Sequence, residues 1–121
     1  MKVLVVDDSP TIRSRIVALL REVPGVEATE ADGGQEAIER VRASAFDVVV
    51  LDLHMPGRSG LDVLPEIKAE PRPPRVIVFT SHPTELHRRQ CLALGADHFL
   101  DKSREFQQLV DVLVRPTGAR S

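Results

Sequence analysis

The chain has 121 residues, enough for one domain with a substantial core and too few for two. Hydrophobic residues make up 42% and charged residues 28%, a composition of soluble globular domains rather than disordered chains. A net charge of -2 argues against a basic nucleic-acid-binding field, the single cysteine Cys91 excludes an internal disulfide, and no apolar run nears the roughly 20 residues of a membrane span; a cytoplasmic protein without direct nucleic-acid contact or membrane insertion is expected.

The first apolar run, residues 3–6, predicts a buried strand and ends in the acidic pair Asp7 and Asp8. Ser9 as cap and Pro10 as first helical residue open a helix in which Ile12, Ile16, Leu19, Leu20 and Val23 recur at helical spacing, until Pro24 and Gly25 stop it. Residues 26–29, interleaved with Glu27 and followed by Glu30, predict an edge strand. Residues 34–43 place Ala37, Ile38 and Val41 on one side of a second helix. Residues 48–53 form the third predicted strand, with Asp52 at its end. A third helix over 61–69 is expected to be short or kinked, because Pro65 lacks an N–H. The fourth strand, 76–79, ends in Thr80; Pro83 opens a fourth helix that runs to about Leu94 and stops at Gly95. The last strand, 98–100, leads into Asp101 and Lys102, and Ser103 is expected to cap a fifth helix with Phe106, Leu109, Val110 and Leu113 inward. Residues 116–121 are expected as a loose tail after a domain of residues 1–115.

Continuous rather than alternating apolar runs suit strands covered on both faces, and parallel neighbours need crossover helices. Strand and helix alternate five times along the chain, which predicts a single doubly wound α/β sheet. In such sheets functional groups gather beyond the carboxyl ends of the strands. Four of the five predicted strands end in groups able to bind a metal or a phosphate: Asp7 and Asp8, Asp52, Thr80, and Asp101 with Lys102. If these strands are neighbours at roughly 4.8 Å spacing, the three acids meet, Thr80 follows one strand on, and Lys102 stands about two strands from Asp52. Only a long side chain reaches back across that gap.

Asp7-Asp8, "DLHMPG" with Asp52, Met55, Pro56 and Gly57, then Gly60, "FTS" with Thr80, "GADHFLDK" with Gly95, Ala96 and Lys102, and "ADGGQEA" before the second helix together resemble the receiver domain of bacterial two-component response regulators, along almost the whole chain. The resemblance implies a flavodoxin-like sheet of five parallel strands in the order 2-1-3-4-5, flanked by five helices. It implies that Asp52 accepts a phosphoryl group from a phosphohistidine on a sensor histidine kinase or histidine phosphotransfer protein. It also implies a Mg²⁺ site in which Asp8 and Asp52 ligate directly, Asp7 ligates directly or through water, and the backbone carbonyl of His54 adds a ligand. Lys102 would neutralise charge, and Thr80 would hydrogen-bond a phosphoryl oxygen, shifting its loop and freeing Phe99 to turn inward. His54 and His82 occupy positions that flank the phosphoryl group in receivers and modulate its lifetime. The expected signal is a change of shape read by an effector protein on the face of the fourth helix, fifth strand and fifth helix. With no output segment in these 121 residues, a stand-alone receiver is expected, the alternative being one domain cut from a longer regulator.

Charge arithmetic agrees with this assignment. The ionised Asp7, Asp8 and Asp52 sum to -3, and crowding them without a counter-ion would raise at least one pKa; one Mg²⁺ and the ammonium of Lys102 bring the sum to zero. Hard oxygen ligands and a phosphate oxygen suit Mg²⁺. One departure from the family pattern stands out: Ser103 follows Lys102 where most receivers have proline, so a trans peptide is expected there. His87 and His98 lack ligand-like spacing with His54 and His82, so no histidine metal cluster is expected.

Two rival functions leave different marks. A Mg²⁺-dependent aspartyl-phosphate phosphatase on a related fold would carry an acid two residues after its nucleophile, the place of His54. A receiver-like interaction module that is never phosphorylated would have lost an acid or the lysine, and none is lost.

Overall fold

A computed structural model of the chain describes residues 1–81, 83–104 and 106–114. Strands and helices alternate as β1 (Lys2–Val6), α1 (Pro10–Arg21), β2 (Glu27–Ala31), α2 (Gly34–Ala43), β3 (Val48–Leu51), α3 (Gly60–Lys68), β4 (Arg75–Thr80), α4 (Glu85–Ala93), β5 (His98–Asp101) and α5 (Gln108–Val114). The strands pair in parallel in one sheet of order β2-β1-β3-β4-β5, the order implied by the resemblance. Among the described residues no helix is long and apolar enough to cross a membrane.

Successive strand residues point to opposite faces, and the core divides accordingly. Leu4, Val6, Val49, Leu51, Val76 and Val78 face α2, α3 and α4, where Ala37, Ile38, Val63, Leu64, Ile67 and Cys91 pack on them. Val3, Val5, Val48, Val50, Ile77 and Phe79 face the other way, against Ile16, Val17 and Leu20 of α1 and Leu109, Val112 and Leu113 of α5. Both faces of β1, β3 and β4 are therefore apolar, which accounts for their unbroken valine-rich runs. At the edge, β2 exposes Glu27 and Glu30.

Local chemistry fixes the helix starts. Ser9 Oγ accepts from the Ile12 N–H with Pro10 in the first turn, and Thr84 Oγ1 accepts from the His87 N–H. Ser59 and Asp62 form a reciprocal capping box at the start of α3. Gly95, at φ 105°, supplies the left-handed residue after α4.

Several predicted boundaries are corrected. The second strand lies one residue later at its start and reaches Ala31, whose side chain is buried. β3 stops at Leu51, leaving Asp52 just past the ladder. Because Thr84 caps α4, Pro83 falls outside that helix. Ser103 does not cap α5: its N–H and hydroxyl donate to Asp101 Oδ1, forming a turn, and the helix starts at Gln108 with Val112 rather than Val110 fully inward. On α1, Val17 is buried where Leu19 is half-buried. Pro65 lies on the exposed side of a nine-residue α3 that continues through it to Lys68. The Lys102–Ser103 peptide is trans, as expected. The predicted tail, 116–121, and His82 lie outside the described residues.

Candidate functional site

The register of the sheet brings the predicted residues together. Val6 of β1 and Leu51 of β3 are partners, so Asp7 and Asp52 leave adjacent strands side by side. Backbone bonds hold both beyond the ladder: Asp52 N–H donates to Val6 O at 3.0 Å, and Asp7 N–H donates to Ala31 O at 3.2 Å. Asp8 follows at the exposed rim. One carboxylate oxygen from each of Asp7, Asp8 and Asp52 lies within 4.8 Å of the others. Lys102, beyond β5, donates a 2.8 Å backbone bond to Thr80 O and extends its side chain back over the ends of β4 and β3. Its Nζ stands 2.6 Å from Asp7 Oδ2 and 3.5 Å from Asp52 Oδ2, with the lysine side chain only 8% exposed. The long reach expected of Lys102 is seen, and its shorter contact is to Asp7 rather than Asp52.

These groups differ in how fully they are engaged. Asp7 is 1% exposed; its Oδ1 accepts from the Ser9 N–H at 2.9 Å and its Oδ2 from Lys102. Asp52 is also buried, and its Oδ1 accepts a long 3.4 Å bond from the His54 N–H. Burial pushes the Asp52 carboxyl above its ordinary range; the Lys102 ammonium pulls it down, the neighbouring Asp7 charge adds to the rise, and the His54 N–H offsets a little more. Among the described residues the Asp8 carboxylate has neither a hydrogen bond nor an ion pair. Three hard oxygen donors, two buried and one free at the rim, fit a small divalent cation with room left for water ligands. The same arrangement leaves a buried carboxylate, a potential nucleophile, beside an ammonium.

Thr80 is fully buried, one residue beyond the row of Asp52, and its hydroxyl donates to Ser81 O at 3.2 Å. Phe99 is half-buried against the core face that carries α2, α3 and α4. The His54 side chain is exposed. Spacing kept His87 apart from His54, yet their rings meet edge to face with centroids 5.4 Å apart, because the loop after β3 and the first turn of α4 converge. The Asp7–Asp8–Asp52 group is the only potential metal cluster of three or more such side chains among the described residues.

Sequence reasoning also passed over Arg13. Its Nη1 donates to the Asp7 backbone carbonyl at 2.7 Å, and its Nε pairs with Glu30 of β2 at 2.8 Å. In the sequence it is one more arginine on an amphipathic helix; the available signal was that it directly follows the inward-facing Ile12 and precedes Ile16 by less than one turn.

Comparison with known proteins agrees with the geometry. Residues 3–114 match the family profile described as response regulator receiver domain, and the chain belongs to that family. The transcription regulator BvgA of Bordetella pertussis is 34% identical over 111 residues, 91% of this chain and 53% of BvgA; the chain thus spans about half the length of such relatives. Among solved structures, the chemotaxis protein CheY4 of Vibrio cholerae superposes with a TM-score of 0.85 at 27% identity, covering 93% of this chain and 94% of CheY4. The response regulator TrrA of Thermotoga maritima, solved in complex with Mg²⁺-BeF, gives a TM-score of 0.81 at 34% identity over 93% of this chain and 95% of TrrA.

Proposed function

We propose that the chain is a phosphorylation-dependent switch whose Asp52 accepts a phosphoryl group from a phosphohistidine on a sensor histidine kinase or a histidine phosphotransfer protein. The observation that carries this reading is the shared pocket in which buried Asp52 meets Asp7, Asp8 and the Lys102 ammonium. An Asp52 carboxylate oxygen attacks phosphorus, the phosphorus–nitrogen bond to the donor breaks, and the imidazole leaves with that electron pair; the product on Asp52 is an acyl phosphate. Water later cleaves it and restores the carboxylate.

Asp8 and Asp52 would hold Mg²⁺ directly, with Asp7, directly or through water, and the His54 backbone carbonyl completing the protein ligands. When bound, the ion supplies positive charge that stabilises the equatorial oxygens during transfer. Lys102 contributes the remaining positive charge. Thr80, which now donates to Ser81 O, would donate instead to a phosphoryl oxygen; its loop shifts and Phe99 turns inward. Contacts that exist only in the phosphorylated form thereby move the population between two packings. An effector would read the change on α4, β5 and α5, where Leu86 is already 63% exposed. His54 and His82 are modulators of phosphoryl lifetime in this reading. A cytoplasmic setting goes with it and rests on the family alone. His54 at the place where a phosphatase of this chemistry needs an acid speaks against that alternative.

Incubation with Mg²⁺ and a small phosphodonor such as acetyl phosphate, followed by mass spectrometry, tests the proposal. One phosphoryl adduct on the wild type and none on Asp52→Asn is expected. An unlabelled wild type alongside a labelled control receiver overturns it, and an adduct that survives Asp52→Asn moves the site elsewhere.

A further inference from the structure

Asp8 reaches the rim of the acidic pocket with no side-chain partner among the described residues, so backbone geometry alone sets its direction. The peptide that joins Asp7 to Asp8 ends in the carbonyl that accepts the 2.7 Å bond from Arg13 Nη1. Arg13, half-buried on the second turn of α1, is itself held by the Glu30 carboxylate on β2. Rotation of that one peptide plane would re-aim Asp8 and strain the Asp7 side chain, whose two oxygens are engaged by Ser9 and Lys102. We infer that Arg13, fixed by Glu30, is a positioning residue that holds the Asp7–Asp8 peptide in the orientation needed for cation binding; the inference rests on the metal site of the proposed function.

Glu30 has a second effect. An unpaired guanidinium on the Asp7 carbonyl would add positive charge near the acidic group and oppose an incoming divalent cation. Paired with Glu30, Arg13 orients the carbonyl while the two opposite charges largely cancel at the pocket.

Position and charge predict opposite signs, which makes the inference testable. If Arg13 acted only through its charge, Arg13→Met would tighten Mg²⁺ binding. If it orients the peptide, Arg13→Met weakens it, on the order of tenfold as for other outer partners of metal ligands. Calorimetric titration of the full chain with Mg²⁺, without phosphodonor, reads this directly, and circular dichroism and melting temperature in EDTA report the fold. Arg13→Lys keeps the positive charge but gives up the planar fork that joins Glu30 to the Asp7 carbonyl, so a charge-only role leaves Mg²⁺ binding unchanged and a positioning role weakens it; it decides the matter if Arg13→Met fails to fold. Wild-type Mg²⁺ binding that is unchanged or tighter in a folded variant overturns the positioning role alone. A wild type that binds no Mg²⁺ overturns both this inference and the metal site beneath it.

Discussion

Burial of Asp52 works against the fold when no cation is present. Its carboxyl titrates above the ordinary range because burial, and then the Asp7 charge, outweigh the help from Lys102 and the His54 N–H. A carboxyl of this kind binds its proton more tightly folded than unfolded, so its contribution to stability is favourable at low pH and is lost as pH rises through the folded value. At neutral pH the ionised group is therefore a destabilising one. Asp52→Asn is expected to raise the midpoint of urea unfolding in EDTA at pH 7, with the gain shrinking toward zero as pH falls below the usual carboxylate range; a gain that persists in acid would contradict the sign. The acids and the lysine were legible in the sequence because each stands where a strand runs out, a place definable from the apolar runs alone. Arg13 and His87 were not, since their roles come from long-range partners: a carbonyl and Glu30 for one, the His54 ring for the other.

At the scale of elements, α3 is seated on the loop that carries Asp52. Gly60 N–H donates to Leu53 O at 3.0 Å, and a Cβ built on Gly60 would press directly on the Asp52 carbonyl and come within 2.8 Å of Leu53 Cα. These are backbone atoms with little room to yield. Gly60→Ala should destabilise the chain by about 1–3 kcal/mol, as overpacking does, and a chemical denaturation curve equal to that of the wild type would show that α3 can shift freely. Element types followed in all ten cases from continuous apolar runs for the strands and from helical spacing or start and stop signals for the helices, whereas their exact starts and stops did not. Thr84 outcompetes Pro83 as the start signal of α4 because its hydroxyl satisfies the His87 N–H. Ser103 was read as a cap, but the Asp101 carboxylate two residues earlier takes both its donors. Such contests between neighbouring polar groups are settled by geometry that spacing does not contain.

At the scale of the molecule, Cys91 reports on the seal between α4 and the sheet. The thiol is buried in the core face of α2, α3 and α4, and burial pushes its pKa up to about 11. Since the thiolate is the reactive form, a thiol probe at pH 8 should label the native chain far more slowly than the urea-unfolded chain, with protection lost along the same transition as the circular dichroism signal. Prompt labelling under native conditions would mean that α4 opens on its own. Alternation of strand and helix was enough to predict a parallel, doubly wound sheet, but the strand order is a long-range property and came only from resemblance to a family. The sheet's two borders have a further consequence. An exposed strand edge is a template for another chain, yet β2 presents Glu27 and Glu30 at one border and β5 is only four residues long at the other. Extending the sheet past β2 would set an incoming strand against the Glu27 and Glu30 charges, and past β5 it would gain only a four-residue ladder. Both borders thus disfavour growth of the sheet by another chain's strand, and leave the helix faces and loops as the surfaces that can move without breaking a ladder.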